Sequence, residues 1–201
     1  MVVKGVRKGR IHRETKETLV EVDLIIEGSG SPAVDTPVGF LTHMLETFAV
    51  HGDYDLTLSA EGDLHVDQHH LVEDVGTSLG MAFEKALGGR SGINRAGFFV
   101  YPMDDSVAFV AVDLSGRSHC VYKVEFDDPQ LGGLDVKHLQ DFFEGFANTC
   151  RATIHVSVPY GRSDHHKAEA VFKAFGKAMR MACSEDPRDV DGIPSTKGIL
   201  D

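Results

Sequence analysis

The chain of 201 residues has no tryptophan, three cysteines and only 20 lysines and arginines against 31 aspartates and glutamates. Cys120, Cys150 and Cys183 are far apart and odd in number. They offer no paired metal spacing and no disulfide framework, and they suit buried thiols in a reducing compartment. The net charge of −11 argues against a nucleic-acid surface, which needs clustered lysine and arginine. It leaves room for a small anionic ligand held by a few local cations. No apolar run approaches the length that spans a bilayer, and no leader-like segment opens the sequence. A cytoplasmic protein without nucleic-acid or membrane partners is expected. With 42% hydrophobic and 25% charged residues, the composition is that of an ordinary globular protein.

Histidine is what the chain has in excess, with eleven copies. The run His69-His70-x-x-Glu73 recurs as His165-His166-x-x-Glu169. Each opens a stretch with helical periodicity. On a helix, His69 and Glu73 stand one turn apart on one face, while His70 is turned away by about 100°. Each cluster therefore aims ligands in two directions. One such cluster reads as a solvated first turn; two with identical spacing point to metal, and together they could hold two ions.

The sequence reads as a duplication. With His69 aligned to His165, the segment 43–49 falls beside 141–147. Met44, Leu45 and Phe48 then match Phe142, Phe143 and Phe146, and Glu46 matches Glu144. Both segments have helical periodicity, and both lead into a short alternating strand, through Leu56 and Leu58 or Ile154 and Val156. Strands are also expected over 20–26, 107–114 and 120–126, the last two joined by a turn at 115–117. The fold class is α+β, with two half-domains over 1–90 and 91–183. Each is a sheet of about four strands with two helices on one face. The halves pack helix to helix in one compact unit, and the stripe Val72, Val75, Leu79, Phe83 is expected against Ala168, Phe172 and Phe175. The remaining segment, 184–201, has no helical period. It is either a frayed tail or, through Ser195, Thr196 and Lys197 beside glycine, a phosphate-binding segment.

Five motifs in order resemble the imidazoleglycerol-phosphate dehydratase family of histidine biosynthesis. They lie at 39–45, 62–74, 113–117, 163–169 and 194–198, and the likeness runs from Arg13 to Leu200. The resemblance implies a hydro-lyase that dehydrates D-erythro-imidazole glycerol phosphate to imidazole acetol phosphate. It also implies Mn²⁺ as the usual metal, two ions per site. The proton to be removed is only weakly acidic, so the substrate's imidazole ring must act as electron source and sink, favoured by metal ions as Lewis acids. Imidazole and carboxylate ligands suit Mn²⁺ and would accept Zn²⁺ or Fe²⁺.

The resemblance further implies roles for single residues. Glu17 is a candidate general acid/base and substrate contact. His51 matches a substrate contact, and Arg95, Arg117, Ser195, Thr196 and Lys197 match the phosphate-binding set. The metal set is His43, His69, His70, Glu73, Asp141, His165, His166 and Glu169, of which His43, His70, Glu73 and Glu169 also serve in catalysis. Two positions depart from the family: Asp141 stands where histidine is usual, and Thr42 where aspartate is usual. Asp141 is also the repeat counterpart of His43, so it is kept as an oxygen ligand. The twofold exchange of the repeat predicts one metal on His69, Glu73, Asp141 and His166, and the other on His43, His70, His165 and Glu169. Asp67 and Asp164 either orient ligand imidazoles or cap helices. His65 is unassigned, and His12, His119, His138 and His155 read as structural or surface residues. The family's trimers, built into a 24-subunit particle with sites between subunits, imply a homo-oligomer acting on a small phosphorylated imidazole.

Two other classes share the metal cluster. A dinuclear hydrolase would release phosphate rather than retain it. A metal-storage scaffold would need none of Arg95, Arg117 and Lys197.

Overall fold

Val20, Val22 and Leu24 are buried while Glu21 and Asp23 between them face solvent, the period-two pattern of a strand with one covered face. They belong to β2 (Thr18–Ile25), which pairs with β1 (Lys8–Glu14) on one side and β4 (Asp55–Gly62) on the other. The structure is a computed structural model describing residues 5–188, 192, 193, 195, 196 and 198. The first sheet has the order β1-β2-β4-β3, closed at its edge by the parallel strand β3 (Pro32–Asp35). The second sheet repeats it: β5 (Ala96–Met103), β6 (Ser106–Asp113), β10 (Thr153–Tyr160), with β7 (His119–Lys123) as the parallel edge. A small hairpin, β8 (Gln130–Leu131) and β9 (Leu134–Asp135), has no counterpart among the described residues of the first half.

Each half carries two helices: α1 (Gly39–Gly52) and α2 (His69–Leu87), then α3 (His138–Cys150) and α4 (Asp164–Cys183). α1 and α3 end alike, on the left-handed residues Asp53 and Arg151. The halves join helix to helix, as the duplication implies, but the pairing differs from the expected one. The α2 stripe lies principally on α3, and α4 lies on α1. Periodicity marks which face is apolar, not which partner covers it; small residues decide that. A Cβ on Gly76 would come within 2.2 Å of the Phe142 carbonyl oxygen, and one on Gly176 within 2.5 Å of the Phe48 carbonyl oxygen. These glycines let the paired backbones approach. Between the two pairs stands a ring of four aromatics, one from each helix. Phe48 lies 6.0 Å from Phe83 and 5.0 Å from Phe175, and Phe146 lies 5.6 Å and 5.0 Å from the same two. Within each pair the helices run in the same direction, so the start of α4 lies beside the start of α1, and the start of α2 beside that of α3. Among the described residues, no helix is long and apolar enough to cross a membrane.

Candidate metal centre

The parallel pairing of α1 with α4 brings His43, His165 and Glu169 together. His165 Nε2 lies 3.2 Å and His43 Nε2 3.8 Å from Glu169 Oε2. The other Glu169 oxygen accepts a 2.7 Å ion pair from Lys173. Burial works to raise the Glu169 pKa, but the Lys173 hydrogen bond and charge outweigh it and the net shift is downward. The carboxylate is thus held ionised, as a metal ligand must be.

The pairing of α2 with α3 gives a second cluster, His69, His138 and Asp141. Asp141 Oδ2 lies 3.0 Å from His69 Nδ1 and 2.9 Å from His138 Nδ1. His69 turns its other nitrogen, Nε2, toward Glu73 Oε2 at 3.8 Å. His138 is only 3% exposed. Read from sequence as structural, it instead belongs to this cluster; its i, i+3 spacing to Asp141 was the signal available.

His70 and His166 stand apart. Among the described residues, neither joins a group of three donor atoms. His70 Nδ1 lies 3.2 Å from both oxygens of Asp63 and 3.9 Å from Glu17 Oε2. The Asp63 hydrogen bond raises the pKa of His70. His166 Nδ1 lies 2.7 Å from Asp105 Oδ1. Asp105 also accepts the backbone N–H groups of Arg162 and Ser163 at 2.5 and 2.9 Å. These bonds, His166 first, hold its carboxyl well below the usual range. Asp63 and Asp105 were not singled out by sequence reasoning. Glu17, in the β1–β2 turn, and Asp105, in the β5–β6 turn, occupy matching places in the repeat.

The aspartates left open at the sequence level resolve differently. Asp67 Oδ1 accepts the His69 backbone N–H at 2.8 Å, which is a capping contact. Asp164 neither caps nor touches an imidazole. It accepts the backbone N–H groups of Asp127 and Asp128 and pairs with Lys167, while Ser163 caps α4. His65 is exposed.

The anion-binding candidates lie elsewhere. Arg95 is clamped by Asp113 at 2.7 and 2.9 Å, and its backbone N–H donates to Ala182 at the far end of α4. At 1.5 Å per residue that is about 25 Å from His165. Arg117 is exposed, and its guanidinium has no partner among the described residues. Ser195 and Thr196 follow in a turn; Lys197 lies outside the described residues. His51, near the end of α1, sets Nδ1 against the Thr47 carbonyl at 2.9 Å and Nε2 against Tyr101 Oη at 3.2 Å.

Residues 36–179 match the profile of imidazoleglycerol-phosphate dehydratase, a span that contains both clusters. The chain belongs to the imidazoleglycerol-phosphate dehydratase family. It is 50% identical to the enzyme of Koribacter versatilis, over 96% of this chain and all of the other. It is likewise 50% identical to that of Chloroflexus aggregans, over 96% and 95%. A crystal structure of the Pyrococcus furiosus family member superposes with a TM-score of 0.82 at 35% identity, covering 94% of this chain and all of that one. One from Staphylococcus aureus gives 0.80 at 28%, covering 89% and 99%. Membership makes the chain an enzyme, a dehydratase of histidine biosynthesis. The duplicated α+β fold is that of its structural neighbours.

Proposed function

We propose that the chain dehydrates D-erythro-imidazole glycerol phosphate to imidazole acetol phosphate at dinuclear sites shared between neighbouring subunits. One observation carries this reading. A single chain gathers three donors of one quartet, His43, His165 and Glu169, and the members His69, Glu73 and Asp141 of the other. Its His70 and His166 stand apart, and Arg95, one of its phosphate-binding candidates, lies against Ala182, about 25 Å from His165 along α4. Two half-sites and a remote anion site make one pocket only when different chains supply them.

The donor chemistry fits two Mn²⁺ ions, with Zn²⁺ or Fe²⁺ as alternatives: imidazole nitrogens, ionised carboxylates, and Nδ1 atoms of His70 and His166 fixed by Asp63 and Asp105. His69 and Glu73 would hold one ion with His166 of a neighbour. His43, His165 and Glu169 would hold the other with a neighbour's His70. Such ions supply Lewis acidity toward the substrate's ring nitrogens. The protein does the rest. Glu17, exposed beside His70 and Asp63, takes the carbon-bound proton and returns a proton to the departing hydroxyl as water. His51 contacts the substrate, and Arg95, Arg117, Ser195, Thr196 and Lys197 grip the phosphate, which is retained.

Assembly has support in the surface. Phe98 (64% exposed), Val100 and Phe109 form an apolar outer face on β5 and β6 around a depression of about 330 Å³. Such a patch marks an interaction surface, in keeping with trimers built into a 24-subunit particle. The test is metal analysis, a dehydratase assay and light scattering, each with and without chelator. An active, metal-free monomer that releases phosphate would overturn the reading.

A further inference from the structure

Asp141 occupies the repeat position of His43, yet it meets its neighbouring imidazole on the opposite side. His43 and His165 both face Glu169 through Nε2, and His69 faces Glu73 through Nε2. Asp141 instead contacts His69 at Nδ1, at 3.0 Å. Carboxylates hold two further histidines of the proposed site in the same way: Asp63 at His70 Nδ1 and Asp105 at His166 Nδ1. Asp141 thus has the geometry of the orienting carboxylates and not of the ligands. An aspartate is shorter than a histidine, and from α3 it reaches only the nearer nitrogen. His138, one turn earlier and 3% exposed, points a second Nδ1 at the same oxygen from 2.9 Å.

We propose that Asp141, steadied by His138, is a positioning residue that fixes the tautomer and angle of His69, so that this chain's first metal centre has one protein ligand fewer than its second. The proposal rests on the dinuclear reading above. A carboxylate accepting Nδ1–H leaves the Nε2 lone pair aimed at the ion beside Glu73 and makes it more basic. An ion placed among His69 Nδ1, His138 Nδ1 and Asp141 would have Glu73 on the wrong side of the ring.

The test is titration of the metal-free protein with Co²⁺, whose visible absorption reports its ligands. It is run on wild type and on Asp141→Leu, Asp141→Asn and His138→Phe, each first shown to assemble like wild type. Wild type should take two Co²⁺ per chain. All variants should still take two at saturation with unmoved absorption bands. Affinity at one class of site should weaken roughly 10- to 100-fold in Asp141→Leu. Asp141→Asn, which keeps an oxygen acceptor, should recover part of that loss. Loss of one ion at saturation, or shifted bands, in the Asp141 variants alone would make Asp141 a ligand and overturn the proposal. The same losses in His138→Phe as well would place an ion in the three-residue triangle and overturn it equally. Fewer than two ions in wild type would overturn the dinuclear reading itself, and this proposal with it.

Discussion

His165 Nε2 lies 3.2 Å from Glu169 Oε2, one turn further along α4. With Lys173 on the opposite oxygen, Glu169 is an ionised carboxylate facing two imidazoles, His165 on its own helix and His43 across the interface with α1. Glu169→Gln keeps the shape and removes the charge. It should lose one of two bound metal ions and lower kcat roughly 100-fold or more, beyond the 10- to 100-fold typical of an outer-shell change. Metal content and turnover are the measurements. A variant with both ions and normal turnover would remove Glu169 from the ligand set.

Phosphate binding should be separable from metal binding, because Arg95 meets α4 at Ala182, at the end opposite His165 and Glu169. Arg117→Ala and Lys197→Ala should each raise KM about 10- to 100-fold, matching a lost charge-assisted hydrogen bond of about 1.5–3 kcal/mol. Metal content should not change. An unchanged KM for Lys197→Ala would show that the final segment takes no part in substrate binding.

That separation also predicts complementation. Assayed at substrate well below the wild-type KM, His69→Ala should be nearly inactive alone and Arg117→Ala should keep only about 1–10% of wild-type activity. Co-assembled from mixed metal-free chains and reloaded with Mn²⁺, they should regain activity, since some sites draw the intact metal donors and the intact arginine from different chains. Mixing would restore nothing if each site lay within one chain. The assay is specific activity against mixing ratio.

The features legible in the sequence were those carried by spacing within one element. The i, i+4 pairs His69/Glu73 and His165/Glu169 follow from helical period alone, and the duplication follows from the repeated order and spacing of such elements, whose strand order the two sheets repeat. What sequence could not supply were contacts between elements. Asp105 meets His166 from 61 residues away, and His138 joins His69 only because α3 lies on α2. The edge strand β3 is four residues long and begins with Pro32, so it shows too little alternation to be seen. Asp164 looked like a cap or an orienting group, and only the fold shows its carboxylate turned to the 127–128 backbone.

His51 predicts a pH effect of definite sign. Burial lowers its pKa, outweighing the opposing hydrogen bond to Thr47, and Lys173 and Lys177 add to the lowering. Because the Thr47 carbonyl can only accept, Nδ1 carries the proton, and the neutral ring accepts Tyr101 O–H at Nε2. In the unfolded chain the ring titrates near about 6.5. Just below that pH the unfolded state therefore binds more protons than the folded one. The His51 contribution is complete above about pH 6.5 and is lost as pH falls through the lower folded value. The thermal midpoint of His51→Gln should fall less steeply than that of wild type between about pH 7 and 5. Parallel curves would show that His51 is not held neutral.

Arg90 should be the costliest single cation to remove. Its side chain is 5% exposed, and it follows the end of α2 with a positive φ of 54°. One terminal nitrogen donates to the Leu114 and Arg151 carbonyls at 2.9 and 3.1 Å, and the other donates to Cys150 at 2.6 Å and pairs with Glu84. It thereby satisfies the last carbonyls of α3, which no intrahelical donor reaches, and ties them to α2 and to the end of β6. Arg90→Met keeps much of the apolar stem and strips every donor, leaving three carbonyls and a carboxylate short of partners. Breaking a buried pair in this way costs about 3–5 kcal/mol, or roughly 6–20 °C of thermal midpoint for a chain of this size. Arg90→Lys can serve one or two of the four acceptors but not the fork, so its midpoint should fall between the two. Both variants, once folded, should bind metal as wild type does, because Arg90 lies at the opposite end of α3 from Asp141. A midpoint within about 2 °C of wild type for Arg90→Met would mean that the α3 terminus is satisfied without it.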